Sequence, residues 1–193
     1  MQNKINREQI IHTTLQLINQ KEEIRYVNLR EIARLMGCSH TNLYNYFNSL
    51  EDILWASVEQ ALIKLNEYVN CNIQDMETYE EQLDYYFSRI IEFYLKNKGW
   101  FRLIWFEKLN GQRPKETLDA VIYTVNSMID IFYPPYRNKL TKDEMHYILH
   151  NVHCYLHGEI FIYISGRGLI KDEIRFKKYV NCQCIKLMGL YTA

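Results

Sequence analysis

The chain has 193 residues, 23 Lys+Arg against 23 Asp+Glu, and 48% apolar residues. That balance excludes a disordered chain and a uniformly basic nucleic-acid coat, and the length suits one compact unit or a small domain beside a larger one. Only seven Gly and three Pro stand against 16 Tyr, which excludes a turn-rich β architecture and points to an all-α fold.

Helix signals follow in order. Asn6-Arg7-Glu8-Gln9 has the form of a capping box ahead of an apolar stripe of Ile10, Ile11, Leu15 and Ile18. Asn28 is an Asx cap with Glu31 three residues on, and Ser39 opens a short helix to about Asn45. Ser49-Leu50-Glu51-Asp52 starts a helix to about Asn70. Thr78-Tyr79-Glu80-Glu81 starts another to about Asn97, striped by Leu83, Tyr86, Phe87, Ile90, Ile91 and Tyr94. Gly99 reads as an interruption before a short aromatic helix with Trp100, Phe101, Trp105 and Phe106. Gly111 and Pro114 mark a loop and a new start, with Leu118, Val121, Ile122, Val125, Ile129 and Phe132 at helical spacing up to Pro134-Pro135. Thr141-Lys142-Asp143-Glu144 caps a helix to about Ser165, Gly166 and Gly168 stop it, and Asp172 starts the last, to about Leu190. The expectation is about nine helices and no strand. Short helices give way to long ones near residue 50, so the expected domains are 1–50 and 51–193.

Five cysteines, Cys38, Cys71, Cys154, Cys182 and Cys184, are odd in number and irregular in spacing, which suits free thiols in a reducing compartment. Residues 1–9 lack an apolar core, and no run reaches about 18 apolar residues. A cytoplasmic location and no membrane partner are expected.

Residues 28–47 carry the functional signal. Ala33 is small where two helices cross closely, and Gly37 sits where a tight turn needs a left-handed backbone. Ser39 caps the next helix, while Leu43 and Phe47 face inward against Ile32, Met36 and the first helix. This is a helix-turn-helix pattern, whose second helix fits a DNA major groove; an ordinary helical hairpin is the plain alternative.

The string Ile32-Ala33, Gly37-Cys38-Ser39, Leu43-Tyr44-Asn45-Tyr46-Phe47 and Ser49-Leu50-Glu51-Asp52-Ile53-Leu54 resembles the signature of the TetR family of bacterial transcription regulators. The motif covers about residues 8–55, and the nine-helix layout extends the resemblance in outline. Residues 147–167 also resemble the penultimate helix of a family branch with a His-Gly pair, here His157-Gly158. The resemblance implies an N-terminal three-helix DNA-binding domain and a larger helical domain for ligand binding and dimerisation. It implies double-stranded operator DNA as partner, with His40 and Thr41 at base edges, Tyr44 and Asn45 one turn later, and Asn28, Ser39, Asn42 and Tyr46 at phosphates. Arg30 matches a place that reaches a base or phosphate. Many relatives have Lys where this chain has Leu50, which removes one charge contact per subunit.

Residues 1–50 hold Lys4, Arg7, Lys21, Arg25, Arg30 and Arg34 against Glu8, Glu22, Glu23 and Glu31, a net +2, and the remainder carries −2. So weakly basic a head predicts a shallow salt dependence of DNA binding, since each neutralised phosphate adds about 0.9 to the slope of log K against log[salt]. A measured slope near −10 would contradict it.

By the same resemblance the last two long helices pair with their twins in a homodimer, and a small-molecule effector binds among the helices of the larger half, releasing a repressor from its operator. Tyr86, Ile90, Phe93, Trp100, Trp105, Tyr123, Tyr155 and Glu159 are candidates to line its pocket, with a filled aromatic core as the plain alternative. Glu159, on an apolar arc, either faces a cationic ligand or pairs with Arg102 or Arg167. His146, His150, His153 and His157 fall within about 60° on one helix face, with Cys154 nearby, a weak candidate for a zinc or nickel sensor. Cys182 and Cys184 diverge on the last helix and suit core or surface thiols. A same-fold adaptor controlled by a protein partner is a further reading. No phosphate loop, nucleophile motif or acid pair suggests an enzyme, and no cofactor is expected.

Overall fold

The structure, a computed structural model, describes residues 5–192. Among the described residues there are nine α-helices and no strand. They are α1 (Arg7–Lys21), α2 (Leu29–Leu35), α3 (His40–Leu43), α4 (Leu50–Asn70), α5 (Tyr79–Lys96), α6 (Lys98–Trp105), α7 (Lys115–Phe132), α8 (Lys142–Ile164) and α9 (Glu173–Thr192). Single 3₁₀ turns at Ile24–Tyr26, Ile73–Asp75 and Pro134–Tyr136 were not legible in the apolar periodicity. No helix among the described residues is long and apolar enough to cross a membrane.

The polar residues before the helices act as the local chemistry requires. Asn6 and Gln9 close a reciprocal capping box on α1, as do Thr141 and Glu144 on α8. Asn28 Oδ1 accepts the Glu31 N–H of α2 at 3.0 Å, and Ser49 and Thr78 hydroxyls accept N–H groups at the starts of α4 and α5. Ser39 departs from expectation. It occupies the N-cap of α3, but its hydroxyl meets the Thr41 hydroxyl at 2.7 Å instead of a backbone N–H.

Backbone proximity divides the chain into two compact units, Met1–Lys64 with Asn97–Val121, and Leu65–Lys96 with Ile122–Ala193. This differs from a division at residue 50. Composition registers helix length, whereas compactness follows packing, and α6 packs on α1. In the first unit α1 also packs on α2, and Ile10, Leu15, Ile18, Ile32, Ala33, Leu43, Phe47 and Ile53 are buried together with Phe101 and Leu103. Each fully buried Leu, Ile or Phe contributes roughly 1.5–3 kcal/mol. In the second unit α5, α8 and α9 pack on one another. Its core is aromatic: Tyr86 meets Phe132 edge to face at 4.9 Å, and Phe87 stacks parallel to Phe132. Asn181 of α9 donates to Asp84 Oδ1 at 2.7 Å and Ser88 Oγ at 3.0 Å of α5, fixing the register of these two helices.

Candidate nucleic-acid interface

The turn between α2 and α3 is set by backbone hydrogen bonds. Gly37 has φ +66, in the left-handed region. Its N–H donates to Arg34 O at 3.2 Å, and the Cys38 N–H donates to Ala33 O at 3.0 Å. This paired ending reverses the chain within two residues, and glycine avoids the Cβ penalty of that backbone. Buried Ile32, Ala33, Leu43 and Phe47 hold α2 and α3 against the rest of the first unit. Arg7 fixes the far end: its guanidinium lies 4.1 Å over the Phe47 ring and donates to Tyr46 O at 3.1 Å.

With the inner face so fixed, the outer face presents polar side chains. Ser39, His40, Thr41, Asn42, Tyr44 and Asn45 are all exposed, Tyr44 by 51%. The Ser39–Thr41 bond links the two hydroxyls at the start of α3. Asn28 is exposed too, though its carboxamide oxygen is engaged at the α2 cap. Tyr46 differs. It is half-buried, and its hydroxyl donates to Ile5 O at 2.6 Å, tying the segment before α1 to the end of the motif. Its sequence context, one residue from inward-facing Phe47, gave no sign of that long-range bond.

The cations of this region are unequal. Lys21 pairs with Glu31 at 3.2 Å, Arg34 reaches the same carboxylate at 4.0 Å, and Arg25 pairs with Glu23 at 2.5 Å. Arg7 is spent on Phe47 and Tyr46. Arg30, exposed on α2, is the one Lys or Arg of the described residues up to Ser49 with no ion pair, hydrogen bond or ring contact. A net charge weights these residues equally; among the described residues up to Ser49, their partners leave Arg30 as the cation without one.

The candidates for the larger half are divided between the two units. Trp100 and Trp105 belong to the first unit, where Trp100 Nε1 donates to Leu15 O at 2.7 Å and Trp105 is 37% exposed. Tyr86, Ile90 and Phe93 are buried in the core of the second unit, so for these three the filled-core reading describes the packing. Tyr86 Oη lies 3.2 Å from His153 Nε2. Tyr155 and Glu159 lie near Cys184, whose thiol is pushed up to about 12 by burial and then by the Glu159 carboxylate. Glu159 makes no ion pair with Arg167 of the same unit among the described residues. Tyr123 lines a pocket of about 660 Å³ in the second unit, together with Asn70, Gln74, Gln82, Asn126, Ser127 and Asp130. These polar side chains are scattered along three segments and carry no aromatic pattern that marks them in the sequence.

The histidines also divide. His153 Nδ1 lies 2.8 Å from Leu149 O, and both His153 and His157 stand edge-on to tyrosines of α5, Tyr86 and Tyr94 respectively. Burial lowers the pKa of His153, and it pushes His157 down to about 3 with help from the neighbouring His153 and His150. His146 and His150 are exposed. Among the described residues, no three His, Cys, Asp or Glu side chains are grouped to hold a metal.

No family model matches the chain. Among curated proteins, it is 27% identical over 101 residues to the nucleoid occlusion factor SlmA of Glaesserella parasuis, a match covering 52% of this chain and 50% of that protein. The chain thus spans about half the length of the curated relatives it matches. Among solved structures, a protein of unknown function from Rhodococcus superposes with a TM-score of 0.81 at 13% identity, covering 99% of this chain and 97% of the other. A TetR-family transcriptional regulator from Streptomyces coelicolor superposes with a TM-score of 0.70 at 15% identity, covering 96% and 82%. The chain therefore has the fold of the TetR-family regulators.

Proposed function

We propose that the chain is a DNA-binding transcriptional regulator, a repressor whose α3 reads a two-fold symmetric operator and which a small molecule releases. The observation that carries this reading is the exposed row of His40 and Thr41 on α3 and Tyr44 and Asn45 in the turn that follows it, opposite the buried Leu43 and Phe47. Hydroxyl, amide and imidazole groups there match base edges, Thr41 matches a thymine methyl, and Arg30 matches a phosphate or base. Residues 1–50 act as the reading head and 51–193 as the responding and dimerising body, with α8 and α9 pairing against a second copy. Two reading heads would then address half-sites about 34–36 Å apart. The polar pocket beside Tyr123 and Asp130 supports an effector site in the body. The His157-Gly158 pair is the residue basis for placing the chain in the branch that shares it.

Selection of DNA from random sequence by the purified protein tests this reading. A two-fold symmetric enriched site is the expected result, and absence of enrichment contradicts it. On the selected site, Tyr44→Ala is expected to weaken binding by roughly 1–3 kcal/mol with the helical content unchanged, the range of a single well-placed contact; full affinity in the variant contradicts the docking. Because residues 1–50 carry only a net +2 and most described cations there have ion pairs or ring contacts, the salt slope is expected to be well short of −10 for a dimer. A second reading, a same-fold DNA-binding adaptor controlled by a protein partner, is kept because the curated relatives are named nucleoid occlusion factors and not transcriptional regulators. Transcription from a promoter overlapping the selected site separates the two: repression supports the first, and unchanged output the second.

A further inference from the structure

The outward face of α8 carries a feature that neither the DNA-reading helix nor the polar pocket uses. His150 and Cys154, four residues apart and both exposed, place Nε2 and Sγ 3.5 Å from each other. A tetrahedral zinc with Zn–N of about 2.0–2.1 Å and Zn–S of about 2.3 Å holds its nitrogen and sulfur ligands roughly 3.6 Å apart. The pair therefore already stands at the bite of a two-ligand chelate. His146, one turn earlier, lies parallel to Tyr147, and His153 and His157 stand against α5, so among the described residues one chain groups these two ligands and no third.

The missing ligands have a source. Tyr147, Cys154 and Gly158 fall within about 40° on α8, opposite the buried arc of Met145, Leu149, Val152, Leu156 and Ile160. Tyr147 is 70% exposed, and a Cβ built on Gly158 would meet no atom within 4 Å, so this face admits another helix at close range. We propose that His150 and Cys154 are half of a tetrahedral site for a zinc-class divalent cation, completed by the same two residues of a second copy of the chain. The site rests on the dimer reading given above. Each thiol loses its proton to solvent as its metal–sulfur bond forms, and the imidazoles bind as neutral groups. Two thiolates then cancel the charge of the dication, so that the completed site is neutral and can be covered by the interface.

Cobalt(II) titration of the full chain, read by absorbance and by sedimentation on the same samples, tests the proposal. The expected result is a thiolate-to-cobalt charge-transfer band with tetrahedral visible bands, saturating at one cobalt per two chains in a dimer and displaced by zinc. Cys154→Ser and His150→Ala abolish the band, while Cys71→Ser and Cys182→Ser, also exposed thiols, retain it. All four replace exposed side chains, and helical content checks that each variant folds. A dimer without the band overturns the metal site alone. A band that survives Cys154→Ser, or that saturates at one cobalt per chain, overturns it as well. A chain that stays monomeric with and without metal overturns both the site and the dimer reading.

Discussion

Replacing Gly99 by alanine is expected to destabilise the first compact unit by about 3 kcal/mol, the upper range for overpacking a close contact. Gly99 is buried as the second residue of α6, where α6 meets the end of α1. A Cβ built there would stand 2.7 Å from the Ile18 carbonyl carbon and 2.9 Å from Asn19 Cα, and closer still to the Ile18 oxygen. All three are backbone atoms, so no side chain can turn aside. The Gly99 N–H also donates to Asn19 Oδ1 at 3.3 Å, which holds the two backbones together. The sign is diagnostic. Alanine for glycine inside a helix ordinarily stabilises by roughly 0.5–1 kcal/mol, so urea denaturation showing any gain would refute the contact. Since α1 also packs on α2, the loss is expected to reach the helix-turn-helix and, on the function proposed above, to lower the temperature at which operator binding disappears.

Acid is expected to unfold the second unit through the inward histidines. At pH above the ordinary imidazole value of 6.5, His157 is neutral folded or unfolded and contributes no pH dependence. Below 6.5 the unfolded chain takes up a proton that the folded chain refuses until about pH 3, so stability falls as pH falls through that window. One such group gives a slope of up to about 1.4 kcal/mol per pH unit. His153, also lowered by desolvation, acts in the same direction. Tyr86, Phe87 and Tyr94 from α5 and His150 from α8 neighbour these rings, and none of these four carries a carboxylate to hold the imidazolium. Glu92, held below its usual range by Lys96 and Tyr68, adds a further loss when it protonates at the acid end. Unfolding free energy measured from pH 7 to 4 checks this. In His157→Phe the slope between pH 6 and 4 is expected to flatten by about one proton's worth. An unchanged slope contradicts it.

Much of this was legible in the residues. Asn6, Asn28 and Thr141 announced helix starts because a cap is a contract between residues three apart, and Gly37 marked the turn because only its own backbone angle was at stake. Leu43 and Phe47 showed their inward face through spacing alone. His146, His150, His153 and His157 show where periodicity runs out. A 60° arc on a wheel is wide enough to straddle the edge of a packed face, and the edge fell between His150 and His153.

Sequence by itself determined the helix starts, the turn and the polar row from Ser39 to Asn45, though α3 ends at Leu43 and not near Asn45, because capping, apolar period and left-handed backbone are settled within a few residues. Tertiary structure alone decided the rest. Gly99 looks like a helix breaker in sequence but lies within a helix, selected by a backbone some 80 residues away. Among the described residues up to Ser49, Arg30 stands without a partner while Lys21, Arg25 and Arg34 found carboxylates, and the Tyr46 hydroxyl is bound to Ile5 O. Each of these outcomes depends on which distant group arrives within hydrogen-bond or contact distance, and no local pattern encodes that distance.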